Sequence, residues 1–336
     1  MNMKKEEGWK SAAFKKEVST IAAGFQKTRE EVKRILVGQS KVVDEFLLAL
    51  LCKGNVLVEG VPGVGKTLLV KSLSIVTGCK FSRIQFTPDL LPTDITGITT
   101  YEEGRGFYTV KGPVFAHFIL ADEINRAPPK VQSALLEAMQ EHQVTIGRET
   151  FKLPSPFFVM ATQNPLETLG TYQLPEAQVD RFLIKVLIKY PSSEEEELIL
   201  NKNVTIKGFE DFNLHPILSP SWIEHSQKTV QKIYLDNKIE KYIIKIIDAT
   251  RYPSKYHLEL GKYIEYGASP RASISLFIAA KANALLDGRN FVTPKDVKNI
   301  AFSVLRHRIL LNYEGQAEDV NPDDIISEVL KKVPIL

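Results

Sequence analysis

A glycine-rich segment limits the fold of this chain more strongly than any other feature of the sequence. Gly60–Thr67 fits the pattern G-x-x-x-x-G-K-[ST], and it follows the apolar run Asn55–Val58, which is typical of a short buried strand. Leu68, Leu69 and Leu73 come next at helical spacing. A strand, a glycine loop and a helix in this order predict a phosphate-binding loop in an α/β domain.

The residue types of this loop suit the phosphate chain of a nucleotide. Glycines leave backbone N–H groups free to surround phosphate oxygens, and the N-terminus of the following helix favours anions. Lys66 supplies a cation for the β- and γ-phosphates, and the Thr67 hydroxyl is expected to bind Mg²⁺. A turn that only resembles such a loop is the alternative, and the flanking strand and helix argue against it. We therefore expect ATP or ADP with Mg²⁺ at Gly60, Val61, Pro62, Gly63, Val64, Gly65, Lys66, Thr67 and Leu68.

The composition is that of an ordinary globular protein, and it argues against several other classes. The 336 residues predict about two domains, and 43 basic against 40 acidic residues leave a net charge of only +3. So mild a charge, without a basic stripe, disfavours nucleic-acid binding. No apolar run reaches the roughly 18 residues of a membrane span, and the first residues lack the apolar core of a signal peptide. A soluble, cytoplasmic protein is expected.

The cysteines and histidines give no sign of a metal site. Cys52 and Cys79 are not paired as C-x-x-C, and each lies in apolar surroundings, so we interpret both as small buried hydrophobic residues. None of the six histidines has the spacing of a zinc site, and His307 is interpreted as structural.

Strands and helices alternate as far as Tyr190, and helices dominate after it. Helices are expected over residues 9–36, with Gly24 as a candidate break, and then over 40–52, 89–95 and 128–142. Strands are expected at 55–58, 81–86, 116–123, 156–162 and 183–188, with hairpins at 98–110 and 144–153. We predict a nucleotide-binding core over 1–190, with N-terminal helices and both hairpins, and a linker with a helical lid over 191–336.

The second half of the chain has clear helix signals. Helices are expected over 192–203, 222–234, 238–251, 270–287 and 294–308, and a linker is expected over 204–219. Thr293 is predicted as the N-cap of the last helix, with Pro294 at its first position and Asp296 in its first turn.

Two carboxylates follow the strand that comes about 55 residues after the glycine loop. In a doubly wound sheet, ligands bind beyond the carboxyl ends of the strands. Asp122 is then placed to hold Mg²⁺ through water, and Glu123 to polarise an attacking water. Two solvated acids at a strand end are the alternative, and the preceding phosphate loop favours the hydrolytic interpretation.

Three further polar residues are candidates for the same chemistry. Asn164 follows the next strand, where an amide can orient water, although an Asn before a Pro by itself indicates only a turn. Arg181 lies at a helix-to-strand corner, either as a solvated charge or as an arginine finger that reaches the γ-phosphate of a neighbouring subunit. Arg271 lies at the start of a predicted helix and faces whatever that helix start meets.

The first hairpin carries three aromatic residues. Tyr101, Phe107 and Tyr108 either grip a partner or pack the hairpin on its own domain. We favour packing, because large aromatic side chains are usually buried.

Several short runs between about residue 30 and residue 310 carry a family resemblance. They are Gly112-Pro-Val-Phe, Leu120-Ala-Asp-Glu-Ile-Asn-Arg-Ala-Pro-Pro-Lys, Ser133-Ala-Leu-Leu-Glu-Ala-Met, Ala161-Thr-Gln-Asn-Pro, Leu174-Pro-Glu-Ala-Gln-Val-Asp-Arg-Phe and Ala268-Ser-Pro-Arg. Together they resemble the MoxR family of AAA+ ATPases. The resemblance implies a five-stranded parallel sheet in the order 5-1-4-3-2 within an αβα core, an all-α lid, and assembly into a homo-oligomeric ring, commonly a hexamer.

The resemblance also implies roles for single residues. Gly60–Thr67 matches Walker A, and Asp122 with Glu123 matches Walker B. Asn164 matches sensor 1, Arg181 the arginine finger and Arg271 sensor 2, while the segment that flanks adenine is Val37, Gly38 and Gln39. The hairpins match inserts that face the pore or the substrate, and Arg126 matches a family position to which we assign no role.

Three functions are compatible with these motifs. The first is an ATP-hydrolysing chaperone, since MoxR-type proteins are associated with maturing protein complexes, often metal-cofactor enzymes, together with partners that have von Willebrand A domains. The second is a nucleotide-gated scaffold with negligible turnover, and the third is a nucleic-acid motor, which the mild charge disfavours. Glu123, Asn164 and Arg181 favour hydrolysis, and whether Arg271 acts on its own subunit's nucleotide or on a neighbour's stays open.

Overall fold

The computed structural model describes residues 8–61, 63–164, 170–201 and 212–335. Its strands are β1 (Val56–Gly60), β2 (Phe81–Gln85), β3 (Gly97–Glu102), β4 (Gly106–Lys111), β5 (Phe118–Asp122), β6 (Gln143–Ile146), β7 (Glu149–Lys152), β8 (Phe158–Gln163), β9 (Ile184–Ile188), β10 (Ile264–Tyr266) and β11 (Leu310–Leu311). Its α-helices are α1 (Ala12–Lys33), α2 (Ser40–Leu51), α3 (Lys66–Val76), α4 (Pro92–Thr96), α5 (Pro129–Glu141), α6 (Glu176–Val179), α7 (Ser193–Asn201), α8 (Pro220–Lys232), α9 (Asn237–Arg251), α10 (Pro270–Leu286), α11 (Pro294–Leu305), α12 (Tyr313–Ala317) and α13 (Pro322–Lys332). Among the described helices, none has the length and apolar content that a membrane crossing requires.

A five-stranded sheet has the order β2-β5-β8-β1-β9. The pairs β2–β5, β5–β8 and β8–β1 are parallel. If these five strands are numbered by themselves along the chain, the order read from the β9 edge is 5-1-4-3-2. The predicted fold class and strand order are therefore confirmed.

The central strands are apolar over most of their length because both faces of the sheet are covered. Four consecutive residues of β5 and five of β8 are buried, as is typical of a parallel sheet between layers of helices. The rings of Phe118 and Phe158 lie 5.2 Å apart in this core, and Phe46 of α2 packs 6.0 Å from Phe158. This covered sheet fixes the positions of the loops at its carboxyl edge.

The chain forms two compact units. The sheet unit comprises Lys27–Arg181 and Val186–Glu224, and the helical unit comprises Phe182–Lys185 with the described parts of Met1–Gln26 and His225–Leu336. These units are defined by contacts and each combines separate stretches of the chain. The division at residues 190 and 191 therefore stays a prediction.

The first part of α1 belongs to the helical unit through specific contacts. Glu17 accepts a hydrogen bond from the Thr229 hydroxyl at 2.6 Å. Trp9 stacks on Tyr234 with ring centroids 4.5 Å apart, and its carbonyl accepts a hydrogen bond from Asn290 at 2.6 Å. The N-terminal residues thus pack on segments that lie more than 200 positions later in the chain.

Three consecutive residues after α11 hold the backbone of Phe182–Lys185 within the helical unit. Arg306 donates to the Lys185 carbonyl at 3.0 Å, the His307 Nε2–H donates to the Phe182 carbonyl at 3.2 Å, and Arg308 donates to the Leu183 carbonyl at 3.0 Å. His307 is buried, and its burial, reinforced by the Arg308 cation, holds its pKa well below the ordinary value. It is therefore neutral near pH 7, and its predicted structural role agrees with this position.

One prediction of secondary structure was wrong. α1 runs without interruption through Gly24, because the buried side chains of Val18, Ile21 and Phe25 keep the helix packed on both sides of the glycine. Part of the expected linker is anchored, since the N–H groups of Ile217 and Leu218 donate to the Val76 carbonyl at 2.8 and 3.0 Å. Residues 202–211, which include the end of the predicted helix 192–203, lie outside the described residues.

The first hairpin, β3–β4, corrects a second prediction. Tyr101 is 63% exposed and Phe107 is 79% exposed, so these rings do not pack the hairpin on its own domain. They pack against each other, with ring centroids 5.2 Å apart, while Arg105 lies over the Tyr108 ring at 4.1 Å. The hairpin is long enough to hold its aromatic residues away from the core.

Candidate nucleotide and hydrolysis site

The glycine loop connects β1 to α3, as predicted. Gly63 and Gly65 have φ values of +82° and +78°, which residues with side chains rarely adopt. A Cβ atom on Gly60 would lie 2.7 Å from the Ile188 carbonyl oxygen, so β9 also requires a glycine there. The loop conformation therefore depends on three of its glycines, and Pro62 lies outside the described residues.

Polar contacts within the sheet unit join the loop to the segment that precedes α2. The Lys66 Nζ donates to the Gly60 carbonyl at 2.7 Å, which holds the ammonium group against the loop. Gln39 Nε2 donates to the Val64 carbonyl at 2.7 Å. Gly38 has a φ of +76°, and a Cβ atom there would meet the Glu195 carboxylate. The structure therefore brings the predicted adenine-flanking segment next to the phosphate loop.

The two predicted acids lie at the end of β5 and share one partner on β8. The Thr162 hydroxyl donates to Asp122 Oδ1 at 2.7 Å and accepts from the Glu123 N–H at 2.8 Å. Thr162 is fully buried, so this hydroxyl is shielded from water. Glu123 itself has a φ of +57°, a left-handed conformation that is uncommon for a residue with a side chain. One hydroxyl thus fixes a carboxylate and the neighbouring strained backbone.

Three cationic or amide side chains outside the predicted set of site residues contact these acids. Arg83 Nη2 pairs with Asp122 Oδ2 at 2.6 Å, and Gln85 Nε2 donates to Glu123 Oε2 at 2.7 Å. Arg126 Nε lies 3.2 Å from the same Glu123 oxygen, which gives this residue a contact where the sequence had given it no role. Each acid therefore has a defined orientation in the structure.

A sequence signal for Arg83 and Gln85 was available. They are two residues apart on β2, so they share one face of the strand. The register pairs Gln85 with Asp122, which places the end of β2 level with the acids on β5. Two polar residues at alternating positions near the end of β2 indicate the carboxyl edge of the sheet.

Register brings Asn164 close to the glycine loop. β1 and β8 pair Glu59 with Gln163, so Asn164 is level with Gly60, the first loop residue. Asn164 is buried, which suits an oriented amide better than a solvated turn. Because neighbouring strands lie about 4.8 Å apart, the ends of β5, β8 and β1 form one continuous edge.

The two predicted arginines lie in different units. Arg181 is exposed and follows α6 at the end of a sheet-unit segment, in agreement with the expected helix-to-strand corner. Arg271 is exposed in the first turn of α10 in the helical unit, where the Ser269 hydroxyl caps its N–H at 3.1 Å. Their roles as arginine finger and sensor 2 stay predictions.

The donor set fits a nucleotide with Mg²⁺. Thr67 supplies a hydroxyl in the first turn of α3, and Asp122 supplies a carboxylate oxygen at the end of β5. Mg²⁺ prefers such oxygen ligands and keeps several waters of its own. Among the described residues, no group of three or more His, Cys, Asp or Glu side chains is arranged to hold a metal without a nucleotide.

Both cysteines are free, and burial raises the pKa of the Cys79 thiol to about 11.

Comparisons with known proteins agree with this site. The profile of the ATPase family associated with various cellular activities matches residues 55–184, and that of the AAA lid domain matches residues 260–329. The chain is 49% identical to Chaperone MoxR1 of Mycobacterium tuberculosis over 91% of this chain and 80% of that protein. It is 44% identical to the uncharacterized protein YeaC of Bacillus subtilis, over 92% of this chain and 94% of that protein.

A solved structure is also similar over nearly the whole chain. A putative ATPase from Cytophaga hutchinsonii superposes with a TM-score of 0.90 at 45% identity, covering 96% of this chain and 98% of that one. The glycine loop, the acids at the end of β5, the strand order and these matches lead to one assignment. The chain belongs to the MoxR family of AAA+ ATPases.

Proposed function

We propose that this protein hydrolyses ATP with Mg²⁺ and that the hydrolysis drives the remodelling or maturation of partner protein complexes. The observation that carries the hydrolytic part is the register of three adjacent strands. This register aligns Gly60 with Asn164. It also places Asp122 beside Thr162, the residue two positions before Asn164. A scaffold that only bound nucleotide would not need a carboxylate pair and an amide at this edge.

Each residue has a definite task in this proposal. Lys66 and the loop N–H groups bind the phosphates, while Thr67 and Asp122 would hold Mg²⁺, which supplies charge neutralisation at the phosphate oxygens. Glu123 accepts a proton from the attacking water. The water oxygen bonds to the γ-phosphorus while the bond from that phosphorus to the β-phosphate oxygen breaks. Asn164 orients that water.

We further propose that the protein acts in the cytoplasm as a homo-oligomeric ring of six subunits, the state that the family resemblance implies. Arg181 would then reach the nucleotide of a neighbouring subunit, where it stabilises transition-state charge. A protein client is supported by the similarity to Chaperone MoxR1, and the exposed Tyr101 and Phe107 suit a protein contact. A partner with a von Willebrand A domain, and metal-cofactor insertion, rest on the resemblance alone.

Steady-state hydrolysis by Glu123→Gln tests the central part. The variant should bind ATP with wild-type affinity and lose at least about 100-fold in turnover, because the general base is removed while the loop is intact. Glu137→Gln, an exposed position on α5, is the matched control for the loss of one charge. Wild-type turnover in Glu123→Gln would favour the nucleotide-gated scaffold, and DNA retention that falls steeply with salt would favour a nucleic-acid motor.

A further inference from the structure

A cleft of about 470 Å³ lies in the sheet unit, away from the glycine loop. We call it the lysine cleft, because Lys80, Lys111 and Lys152 line it. The remaining lining residues are mostly apolar and include Phe81, Gly112, Phe115, Ala116, Leu153 and Pro154. The cleft therefore combines three cations with mostly apolar walls, and none of the residues that line it carries a carboxylate.

The lysine cleft is at the opposite end of the sheet from the hydrolysis site. Lys80 precedes β2, and Ala116 comes two residues before β5, whereas the acids follow the carboxyl end of β5. Along β5, the four steps from Phe118 to Asp122 span roughly 13 Å. A ligand in the cleft thus does not overlap the phosphate loop or the acids.

Backbone contacts hold the lysine cleft open in one shape. The Lys80 carbonyl accepts from the N–H groups of His117 and Phe118, both at 3.0 Å, and the Lys80 N–H donates to His117 Nδ1 at 3.2 Å. A Cβ atom on Gly112 would lie 2.3 Å from the Ile95 carbonyl oxygen, so the chain passes this point in close contact. The cleft is consequently preformed, which lowers the entropic cost of binding.

Aromatic rings set the position of the central cation. The Lys111 Nζ lies 5.0 Å from the Phe115 ring centroid and 5.1 Å from that of Phe151. These rings meet edge to face with centroids 6.3 Å apart. Cation–π contacts at such distances keep an ammonium group over the rings while leaving its N–H donors available to an anion.

Two hairpins leave the core at the lysine cleft. Lys111 is the last residue of β4, and Lys152 is the last residue of β7. An occupant that bridges these lysines would contact the base of the β3–β4 hairpin and the base of the β6–β7 hairpin together.

We propose that the lysine cleft binds an acidic segment of a partner protein, with carboxylates on the lysines and one apolar side chain against Phe115 and Pro154. The inference rests on the proposed function for the partner being a protein, but it needs no nucleotide. Charge complementarity and apolar walls favour a peptide over nucleic acid. The cleft has no arginine to pair phosphates in a bidentate manner, and its two aromatic residues, Phe81 and Phe115, are fewer than the row of stacking platforms that single-stranded nucleic acid needs.

Fluorescence polarisation of the full chain without nucleotide tests the proposal. The probe is a labelled peptide, Asp-Glu-Phe-Asp-Glu-Leu, and the comparison probes are the same peptide with Ser for Phe and a single-stranded oligonucleotide of equal charge. The triple variant Lys80→Gln, Lys111→Gln and Lys152→Gln should bind the first probe about tenfold more weakly, since three partly screened charge pairs are lost. The control triple Lys15→Gln, Lys241→Gln and Lys298→Gln, all at exposed positions, should stay within twofold of wild type.

The outcomes separate the alternatives. Equal binding by the cleft triple and wild type, or equal binding of the Ser peptide, would overturn the proposal, as would tighter binding of the oligonucleotide. Loss of self-association in the cleft triple, with the peptide competing for that self-association, would mean that a second copy of this chain is the occupant and would also overturn it. Because the assay contains no ATP, a failure of peptide binding is distinguishable from a failure of hydrolysis, which is measured separately by turnover of the same cleft variant.

Discussion

The buried hydroxyl of Thr162 gives the sharpest test of the hydrolysis site. Thr162→Val keeps the branched shape of the side chain but removes the oxygen that contacts both acids. Asp122 loses a charged hydrogen bond of 2.7 Å, and the Glu123 N–H loses its acceptor at 2.8 Å. Glu123 then has less to hold its left-handed backbone in place.

The expected magnitude follows from these two contacts. A hydrogen bond to a charged group contributes about 1.5–3 kcal/mol, and a buried donor without a partner costs about 1–3 kcal/mol. Since Asp122 and Glu123 keep partial solvent access and the partners Arg83 and Gln85, we expect the free energy of unfolding to fall by about 2–4 kcal/mol in total. A misplacement of the base by 1 Å can lower the rate about 100-fold, so turnover should fall by that order.

ATP turnover, nucleotide affinity and chemical unfolding should be measured on Thr162→Val and on Thr162→Ser. The serine variant keeps the hydroxyl, so its turnover should stay within about threefold of wild type while it loses roughly 1 kcal/mol of stability from the missing methyl group. Nucleotide affinity should be unchanged in both. Wild-type turnover in the valine variant, or an equal loss in the serine variant, would refute the argument that this hydroxyl positions the acids.

Three other substitutions test separate parts of the molecule. Lys66→Ala should abolish nucleotide retention in an equilibrium binding assay, because the loop loses its cation, and normal affinity would remove the phosphate-loop assignment. Arg181→Ala should bind ATP without turning it over, and mixing it with Lys66→Ala subunits should restore part of the turnover; no recovery in the mixture would argue against a finger supplied by a neighbour. Asp296→Asn should lower the free energy of unfolding by about 3 kcal/mol at pH 7, since it breaks a buried pair with Arg289 whose atoms lie 2.8 Å apart. Burial alone would raise the Asp296 pKa, but Arg289 and the Thr293 and Asn283 groups hold it below the ordinary value, so its contribution is present above about pH 4 and is lost as the pH falls through the folded-state pKa. The difference between Asp296→Asn and wild type should therefore narrow in acid, and a difference independent of pH would contradict the pair.

Much of the fold could be predicted because local signals and the global arrangement agree. The glycine loop, the apolar strands and the acids after β5 each follow from short stretches of sequence. Thr293 is a further case, since it is the N-cap of α11 as predicted, and its N–H donates to Asp296 in the first turn at 2.7 Å. Such features depend on neighbours within a few positions along the chain.

The remaining features depend on which residues face each other across strands. Thr162 becomes a site residue only when the register of β5 and β8 is known, and the register of β2 on β5 is needed to match Arg83 and Gln85 with the acids. The low helix propensity of glycine also suggested a break at Gly24, but the packing of α1 keeps the helix continuous there. The exposure of Phe107 could not be predicted either, because composition does not distinguish a hairpin that projects from its domain from one that packs on it.

Two C-terminal elements were missing from the sequence-based predictions for different reasons. α13 carries buried Ile325, Ile326 and Val329 behind the N-cap Asn321, and this spacing in the sequence indicates a helix that our predictions do not include. The β10–β11 pair is too short for a strand signal, since β11 has only two residues.

The way in which Arg306, His307 and Arg308 hold Phe182–Lys185 has a consequence for dissecting the protein. A recombinant fragment that begins at His225 would contain the arginines without the carbonyls that they bind, and without Trp9 beneath Tyr234. Arg308 is almost wholly buried, so its guanidinium would need new partners or water in such a fragment. The helical unit therefore cannot be transferred as one continuous segment. A chimaera or a stable proteolytic product must retain three separated pieces of the chain.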